Sequence, residues 1–322
     1  MSLGFVSRKV LGALVTLLFV VCFNFFLFRV VETDPVATLF RGRNLTQVQR
    51  VRLEHQFGLD KSKAGQFVAY LEQTAKLNFG RSYESNAPVS QAIKDAAWPT
   101  IALVGVSTLL STIFGVLIGI VSAWKRRSKT DYGWTGFTMA TYAMPDFWLG
   151  MLLLVTLGVS LGLFPIGGIV DPASDATGVA RLLQQAHHMF LPCLTLTLAY
   201  LGEYALVMRS SLLDTMREDY LTLARAKGLR DIAVRNRHAV PNALLPVVTL
   251  IAINFGFILS GAIAVETIYS WPGLGLLTYQ SLRGPDLPML QGLFLVFSAA
   301  VIFFNLLAEL LYGVLDPRVR TG

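Results

Sequence analysis

"EDYLTLARAKGLRDIAVRNRHAVP" occupies residues 218–241 and interrupts a chain otherwise dominated by long apolar runs. The segment is basic, polar and helix-prone. Asp219 is placed to cap a helix running to Lys227, and Gly228 supplies a left-handed stop. A second helical run, from Asp231 to about Val240, is expected to end at Pro241, where a new apolar run begins. The result is a short helix lying off the membrane, joined by a glycine turn to a segment that returns to it. Its expected exposed face mixes Arg225 and Lys227 with the small residues Ala224 and Ala226. Small residues let a helix seat deeply in a groove, and charges fix its register. An ordinary basic loop obeying the positive-inside rule is the other reading of the same residues.

Of the 322 residues, 54% are hydrophobic and 15% charged, and the mean hydropathy is +0.57. Soluble domains carry about 25% charged residues, so the composition is that of a membrane protein. The formal net charge of +7 is then loop charge rather than a nucleic-acid surface, because no basic stripe with interleaved aromatics lies outside the loops. The two cysteines, Cys22 and Cys193, each sit in an apolar run and give neither a disulfide framework nor a metal-ligand spacing.

A bilayer core takes about 20 mostly apolar residues per helix. Six segments qualify: 10–31, 98–124, 132–163, 189–208, 243–268 and 289–315. The third is over-long and contains Pro145, which predicts a kink or break. The first follows Arg8 and Lys9 as a signal peptide would, but no small-x-small cleavage site follows it, and it reads as a retained anchor. Basic residues concentrate at the chain start, in Lys125, Arg126, Arg127 and Lys129, throughout 209–241, and in Arg318 and Arg320. The two opposite short loops hold only Arg181 and Arg283. Both termini and the 209–241 loop are therefore expected on the cytoplasmic side. The long 32–97 segment falls outside. "TQVQ" at 46–49 has capping-box spacing ahead of Gly58, and a second helix is expected through "GQFVAYLEQTAKL". Such a helical insert suits docking of another protein, or braces the first two spans.

The 218–241 stretch resembles the EAA loop of ABC-importer permeases, with Gly228 and Pro241 at that pattern's spacing. Thr222 and Leu223 stand where the generic pattern has Glu and its first Ala, and the variant "ARAKGL" resembles the dipeptide/oligopeptide/nickel subfamily. Further resemblances run along the chain: "GLD" at 58–60, "FGRSY" at 79–83, "MPDFWLG" at 144–150, "VETIYSWPGLG" at 265–275 and "LDPRVR" at 315–320, with "TDP" at 33–35 a partial match. The resemblance implies an all-α polytopic membrane protein with the type I ABC-importer permease fold. It implies pairing with a homologous second permease, two ABC ATPase subunits on the cytoplasmic face and an extracytoplasmic substrate-binding protein. No GxxxxGK[ST] phosphate loop occurs in the sequence, so ATP and Mg belong to the partner ATPases and this chain is expected to bind no cofactor. ATPase coupling is implied for Arg217, Glu218, Asp219, Tyr220, Ala224, Arg225, Ala226, Lys227, Gly228 and Pro241.

Ionisable residues inside spans are costly and face a cavity or a partner. Glu203 lies deepest in the fourth span, nearly two turns from Arg209, so a direct pair within the helix is not expected. It lines the translocation path, meets a cation on the partner permease, or is structural. Arg209 at the membrane edge belongs to the same candidate path. Glu266 and Trp271, beside the Pro272–Gly273 turn, read as part of an outer gate and binding-protein contact, with Trp271 in the interface belt. Asn254 and Asn305 are expected to form interhelical hydrogen bonds. His187 and His188 are adjacent and point apart, so they are poor joint metal ligands. The dispersed histidines give no catalytic constellation for a membrane-embedded enzyme, and the single proline-broken span lacks the paired broken helices of an ion-driven secondary transporter. Peptide is the expected cargo, with nickel or another small solute as the alternative on the same architecture.

Overall fold

The computed structural model describes residues 3–31, 62–251, 254 and 262–315. The expected helix after the 46–49 capping box, the motifs at 33–35 and 58–60, positions 252–253 and 255–261 of the fifth span, and Arg318 and Arg320 lie outside the described residues. The described residues are mainly helical: α1 (Leu3–Phe25), α2 (Lys63–Ala75), α3 (Val89–Trp124), α4 (Lys129–Ala143), α5 (Asp146–Leu153), α6 (Gly178–Thr215), α7 (Asp219–Ala226), α8 (Asp231–Val234), α9 (Val240–Ala243), α10 (Ile263–Ile268), α11 (Leu274–Arg283) and α12 (Leu287–Leu315). Widened π-helical turns follow α1 (Phe26–Val31), α5 (Leu154–Ser160) and α8 (Arg235–Ala239). Among the described residues the only β pairing is an isolated bridge between Arg81 and Pro88.

Among the described residues four helices are long and apolar enough to cross a membrane: Gly4–Val30, α3, α6 and Leu287–Leu310. Helices α3 and α6 have 36 and 38 residues. At about 1.5 Å per residue both outreach a hydrocarbon layer of about 30 Å and project beyond it. The expected third span is a pair, α4 and α5 with its continuation, bent by 102°. Pro145 explains the break. It pushes Met144 into an extended conformation (φ −80°, ψ 130°), which ends α4 at Ala143, and then stands at the N-cap of α5. The expected fifth span begins in α9 and continues as helix to Ile251, and its far end is α10.

Helix α6 is the axis of the molecule. It packs along α3 and against α4 and α5, while α1 packs mainly on α12. Glycines set the closest crossings. A Cβ placed on Gly119 would lie 2.6 Å from the Ala205 carbonyl oxygen, one on Gly115 2.7 Å from Tyr204 Cβ, and one on Gly202 2.6 Å from Tyr142 Cβ. Small residues at four-residue spacing let membrane helices approach this closely, where dispersion and backbone contacts replace the absent hydrophobic driving force. The outer surface of α1 is bare and apolar, with Leu11, Leu14 and Phe19 exposed, as a lipid-facing helix requires. In the insert, α2 starts at Lys63, two residues before the expected start, and is capped by Ser62, whose side chain accepts from the Gly65 N–H.

Gly119→Leu drives a side chain into the α3–α6 crossing. It is expected to lower the thermal unfolding midpoint in detergent, at a cost of about 1–3 kcal/mol, while Gly105→Leu, where nothing lies within 4 Å of the added Cβ, is expected to leave it unchanged.

Candidate functional site

The 218–241 segment is a packed unit with two faces. Helix α7 ends as expected: Gly228 adopts φ +80°, and its N–H reaches the Arg225 carbonyl at 2.9 Å. The start differs from expectation. Glu218, not Asp219, is the N-cap and makes no side-chain cap bond, and Asp219 sits in the first turn, where a carboxylate complements the helix dipole while Arg225 does so in the last turn. Pro241 does not end the second helical run. The π-helical turn at Arg235–Ala239 widens the backbone just before it, the Val240 N–H bonds back to the Arg235 carbonyl, and Asn242 Nδ2 donates to the His238 carbonyl at 2.7 Å. The proline ring and its missing donor are accommodated, and the helix passes on into the bundle.

The inner face of this unit belongs to the bundle core. Leu221, Val234, Ala239 and Ala243 are fully buried in one cluster with Ala123 of α3 and with Tyr204, Met208 and Leu212 of α6. Ala224 joins that cluster and is buried, so the expected placement of both Ala224 and Ala226 on the outer face is corrected: Ala226 is exposed, whereas Ala224 packs into the shared core. The Trp124 indole N–H donates to Asp231 Oδ2 at 2.8 Å and ties the end of α3 to the start of α8. The outer face carries what sequence reading missed. Tyr220, Leu223, Leu229 and Ile232 are 40%, 56%, 42% and 56% exposed, on an element that also exposes Arg225, Lys227 and Arg230. Leu223, Leu229 and Ile232 were visible as apolar residues in a polar stretch, but which face they take depends on how α7 seats. Partial burial pushes the Tyr220 hydroxyl above its ordinary value, opposed by its hydrogen bond with Asn242, so it stays neutral at physiological pH.

Beside this unit, Arg209 makes a forked pair with Asp131 across α6 and α4: Nε to Oδ1 at 2.8 Å and Nη2 to Oδ2 at 2.9 Å. Asp131 also accepts from the Arg127 N–H at 2.9 Å and from the Thr135 hydroxyl at 3.1 Å. Arg209 therefore ties α6 to α4 here. Asp131, 78 residues away in sequence, was not singled out because nothing local marks it. Glu203 accepts from Asn254 Nδ2 at 3.1 Å, and the same Nδ2 lies 3.2 Å from the Tyr204 hydroxyl. Asn254 thus bridges helices, and Glu203 stays half-exposed.

At the opposite end of α3, Glu266 and Trp271 are sealed inside the chain, 0% and 2% exposed. The Thr100 hydroxyl donates to Glu266 Oε1 at 2.6 Å, and the N–H groups of Gly275 and Leu276, at the start of α11, donate to Oε2 at 2.7 and 3.1 Å. Thr100 Oγ1 in turn accepts from the Leu274 N–H at 2.7 Å, and the Trp271 indole donates to the Pro99 carbonyl at 3.0 Å. Trp271 is therefore a core residue, not the interface-belt residue expected, because the Pro272–Gly273 turn folds it back over α3. Nearby, Tyr269 joins α5, α6 and α10: its hydroxyl donates to the Gly150 carbonyl at 2.9 Å and lies 3.0 Å from Thr195 Oγ1. Asp286 pins the "FGRSY" loop, accepting from the Ser82 hydroxyl at 2.5 Å and the Tyr83 N–H at 3.0 Å. His187 and His188 each meet backbone carbonyls of the loop after α5, at 3.3 and 3.1 Å. Among the described residues no group of three His, Cys, Asp or Glu could hold a metal ion.

Residues 115–321 match the family described as binding-protein-dependent transport system inner membrane component, and residues 2–104 match the N-terminal region of the same component. The chain belongs to this family. It is the membrane-spanning, non-catalytic subunit of an ABC importer, and membership implies a complex with ATPase and substrate-binding partners. The permease is 33% identical to a dipeptide transport system permease protein of Escherichia coli K12, covering 99% of both chains. It is 31% identical to an oligopeptide transport system permease protein of Bacillus subtilis, covering 98% of this chain and 99% of that one. It is 35% identical to a glutathione transport system permease protein of Salmonella paratyphi A, covering 99% of each. In fold, it is similar to the inward-facing MetNI methionine ABC transporter, with a TM-score of 0.57 at 14% identity over 70% of this chain and 97% of the other. The all-α type I importer fold expected from the sequence agrees with this likeness.

A double-mutant cycle on Asp131→Asn and Arg209→Met, read by thermal unfolding of the purified permease, is expected to give a coupling energy of about 1.5–3 kcal/mol, the range for hydrogen bonds to charged groups.

Proposed function

We propose that the permease forms half of a peptide-translocating pore in the inner membrane, both termini cytoplasmic, and that it is driven by ATP hydrolysis in partners docked on residues 218–241. The observation that carries this reading is the two-faced coupling unit: an inner face fixed in the core shared by α3 and α6, and an outer face exposing Tyr220, Leu223, Leu229 and Ile232 amid positive charge. Exposed apolar patches rimmed by polar residues mark protein contact surfaces. In this reading two ABC ATPase subunits hold ATP and Mg and engage this unit and its counterpart on a homologous second permease. An extracytoplasmic binding protein supplies cargo from the other side. The peptide-transport names of the relatives support the peptide class.

Movement of the ATPases then turns α7 and the ends of α3 and α6 together, because they share one core. Arg217, Glu218, Asp219, Arg225 and Lys227 set the register of the docked surface. Gly228 makes the turn that holds α7 against α8, and Pro241 leads the chain back into the bundle. Half-exposed Glu203, positioned by Asn254, is the residue placed to face the path. Arg209 braces that region through Asp131, and the Glu266–Thr100–Trp271 knot ties the start of α11 to α3 at the opposite end. A ligand that favours one arrangement of such a unit shifts the whole bundle only by its difference in affinity for the two.

Gly228→Val places a β-branched residue at φ +80°. Membrane insertion is expected to be normal and transport-linked ATP hydrolysis lost; stimulated hydrolysis at the wild-type rate contradicts the lever. Leu223→Glu with Ile232→Glu is expected to weaken ATPase co-purification by about tenfold or more, as loss of two central apolar contacts does at protein interfaces, with unfolding unchanged because both side chains point away from the core.

A further inference from the structure

Residues 146–168 form the second half of the broken span: α5, its π-helical continuation to Ser160, and the connection onward to Gly168. The segment leaves α4 at Pro145 with a bend of 102°, and Gly162 turns the chain at φ +61°. It is thinly seated. Among its residues only Leu149, Gly150 and Gly158 are buried, and two of these are glycines. Phe164 and Ile169, half-buried, reach only the flank of the apolar cluster that holds Leu191, Tyr269 and Trp271. Past Gly168, residues 171–175 are exposed. Segments with few buried contacts belong to the low-stability end of a fold, from which moving elements are drawn.

One residue holds the segment near both of its ends. The Tyr269 hydroxyl donates to the Gly150 carbonyl at 2.9 Å, and the Tyr269 carbonyl accepts from the Gly168 N–H at 3.0 Å. Tyr269 itself is fixed. It is buried, its hydroxyl lies 3.0 Å from Thr195 Oγ1 of α6, and its neighbours Glu266 and Trp271 tie this part of the chain to α3. Helix α6 adds holds near the segment's end: Phe190 stacks on Phe164 at 4.2 Å, His188 Nδ1 lies 3.1 Å from the Gly167 carbonyl oxygen, and His187 Nε2 lies 3.3 Å from that of Leu163. At Gly167 and Gly168 the segment meets Tyr269 with bare backbone. A Cβ on Gly167 would lie 3.0 Å from the Tyr269 carbonyl oxygen. No side chain interlocks at that point, so the contact parts there without repacking once its hydrogen bond breaks.

We propose that residues 146–168 are a flap hinged at Pro145 and that Tyr269 is its latch, closed in this structure and released when nucleotide bound by the partners switches the permease. The proposal rests on the reading of the chain as an ATP-driven importer subunit. Such a latch is a two-state element, and nucleotide opens it only by favouring the arrangement in which the flap is free. The flap lies apart from the 218–241 unit, so variants in it leave the ATPase docking surface untouched.

The test uses the Gly167→Cys/Ser270→Cys pair in the assembled transporter in proteoliposomes. A Cβ on Gly167 lies 3.5 Å from Ser270 Cβ, within the reach of a disulfide. Each single variant, with Cys22 and Cys193 in place, is the control. The pair is expected to cross-link about tenfold faster without nucleotide than with ATP and vanadate trapped. The oxidised pair is expected to lose the ATP hydrolysis stimulated by the binding protein, and a reductant to restore it. Tyr269→Phe keeps the ring and removes the hydroxyl. It is expected to raise hydrolysis without binding protein about tenfold, the population shift that loss of a hydrogen bond brings, which a merely structural contact does not give. Equal cross-linking in the two states, stimulated hydrolysis at the wild-type rate in the oxidised pair, or unchanged hydrolysis in Tyr269→Phe overturns the latch. Stimulated hydrolysis by the wild type and the reduced pair tests the importer reading separately.

Discussion

Leu221, Ala224 and Val234 share a buried core with Met208 and Leu212 of α6 and Ala123 of α3. Helix α7 has eight residues, and an isolated helix shorter than about 12–15 residues is marginal in water. Its order therefore comes from docking rather than from its own backbone. Each large apolar side chain taken from water contributes roughly 1.5–3 kcal/mol, and the Trp124–Asp231 hydrogen bond fixes the second half of the unit to the end of α3. A segment that would be a loose basic loop by itself becomes an extension of two long membrane-crossing helices. In the proposed reading this matters, because a surface docked on a soluble motor transmits motion only as well as it is joined to what it moves.

The same logic organises the opposite end. Polar groups removed from water must be bonded, and the Glu266 carboxylate is met by one hydroxyl and two backbone N–H groups. Its acceptance of N–H groups at the start of α11 satisfies donors that a helix N-terminus otherwise leaves without partners. Asp286 does the same for the loop ahead of α3, and the Tyr269 hydroxyl links three helices. The motifs that carry the family resemblance, "FGRSY", "MPDFWLG" and "WPGLG", are therefore places where chain reversals in or near the membrane are stitched. Helices α3 and α6 run from this end to the 218–241 unit, with a close glycine-mediated crossing between them.

Much of this was legible in sequence for identifiable reasons. Long apolar runs give membrane-crossing helices because the bilayer allows few alternatives. Pro145 marks the break between α4 and α5, and Gly228 the end of α7, because both residues act on the backbone locally. What stayed hidden depends on partners distant in sequence. Asp131 meets Arg209 across 78 residues, and neither carries a local sign of the other. Ala224 takes the buried face instead of the exposed one expected, because its packing in the shared core sets the rotation of α7, and eight residues hold too few apolar positions to fix that rotation by periodicity. Trp271 turned inward for a similar reason: the Pro-Gly turn was visible, but not the direction in which it folds. Pro241 failed as a stop signal because a π-helical turn just before it absorbs the proline.

The central claim is that the coupling unit and the adjoining helix ends form a single rigid body. The most direct measurement is a pair of spin labels at exposed Arg126, just past α3, and exposed Lys227, at the end of α7, with distances recorded by electron double resonance in the assembled transporter with and without bound nucleotide. A narrow distribution that stays the same in both states is the expected result. A broad distribution, or one whose centre moves with nucleotide, would show that the loop flexes independently of the bundle and would contradict the account.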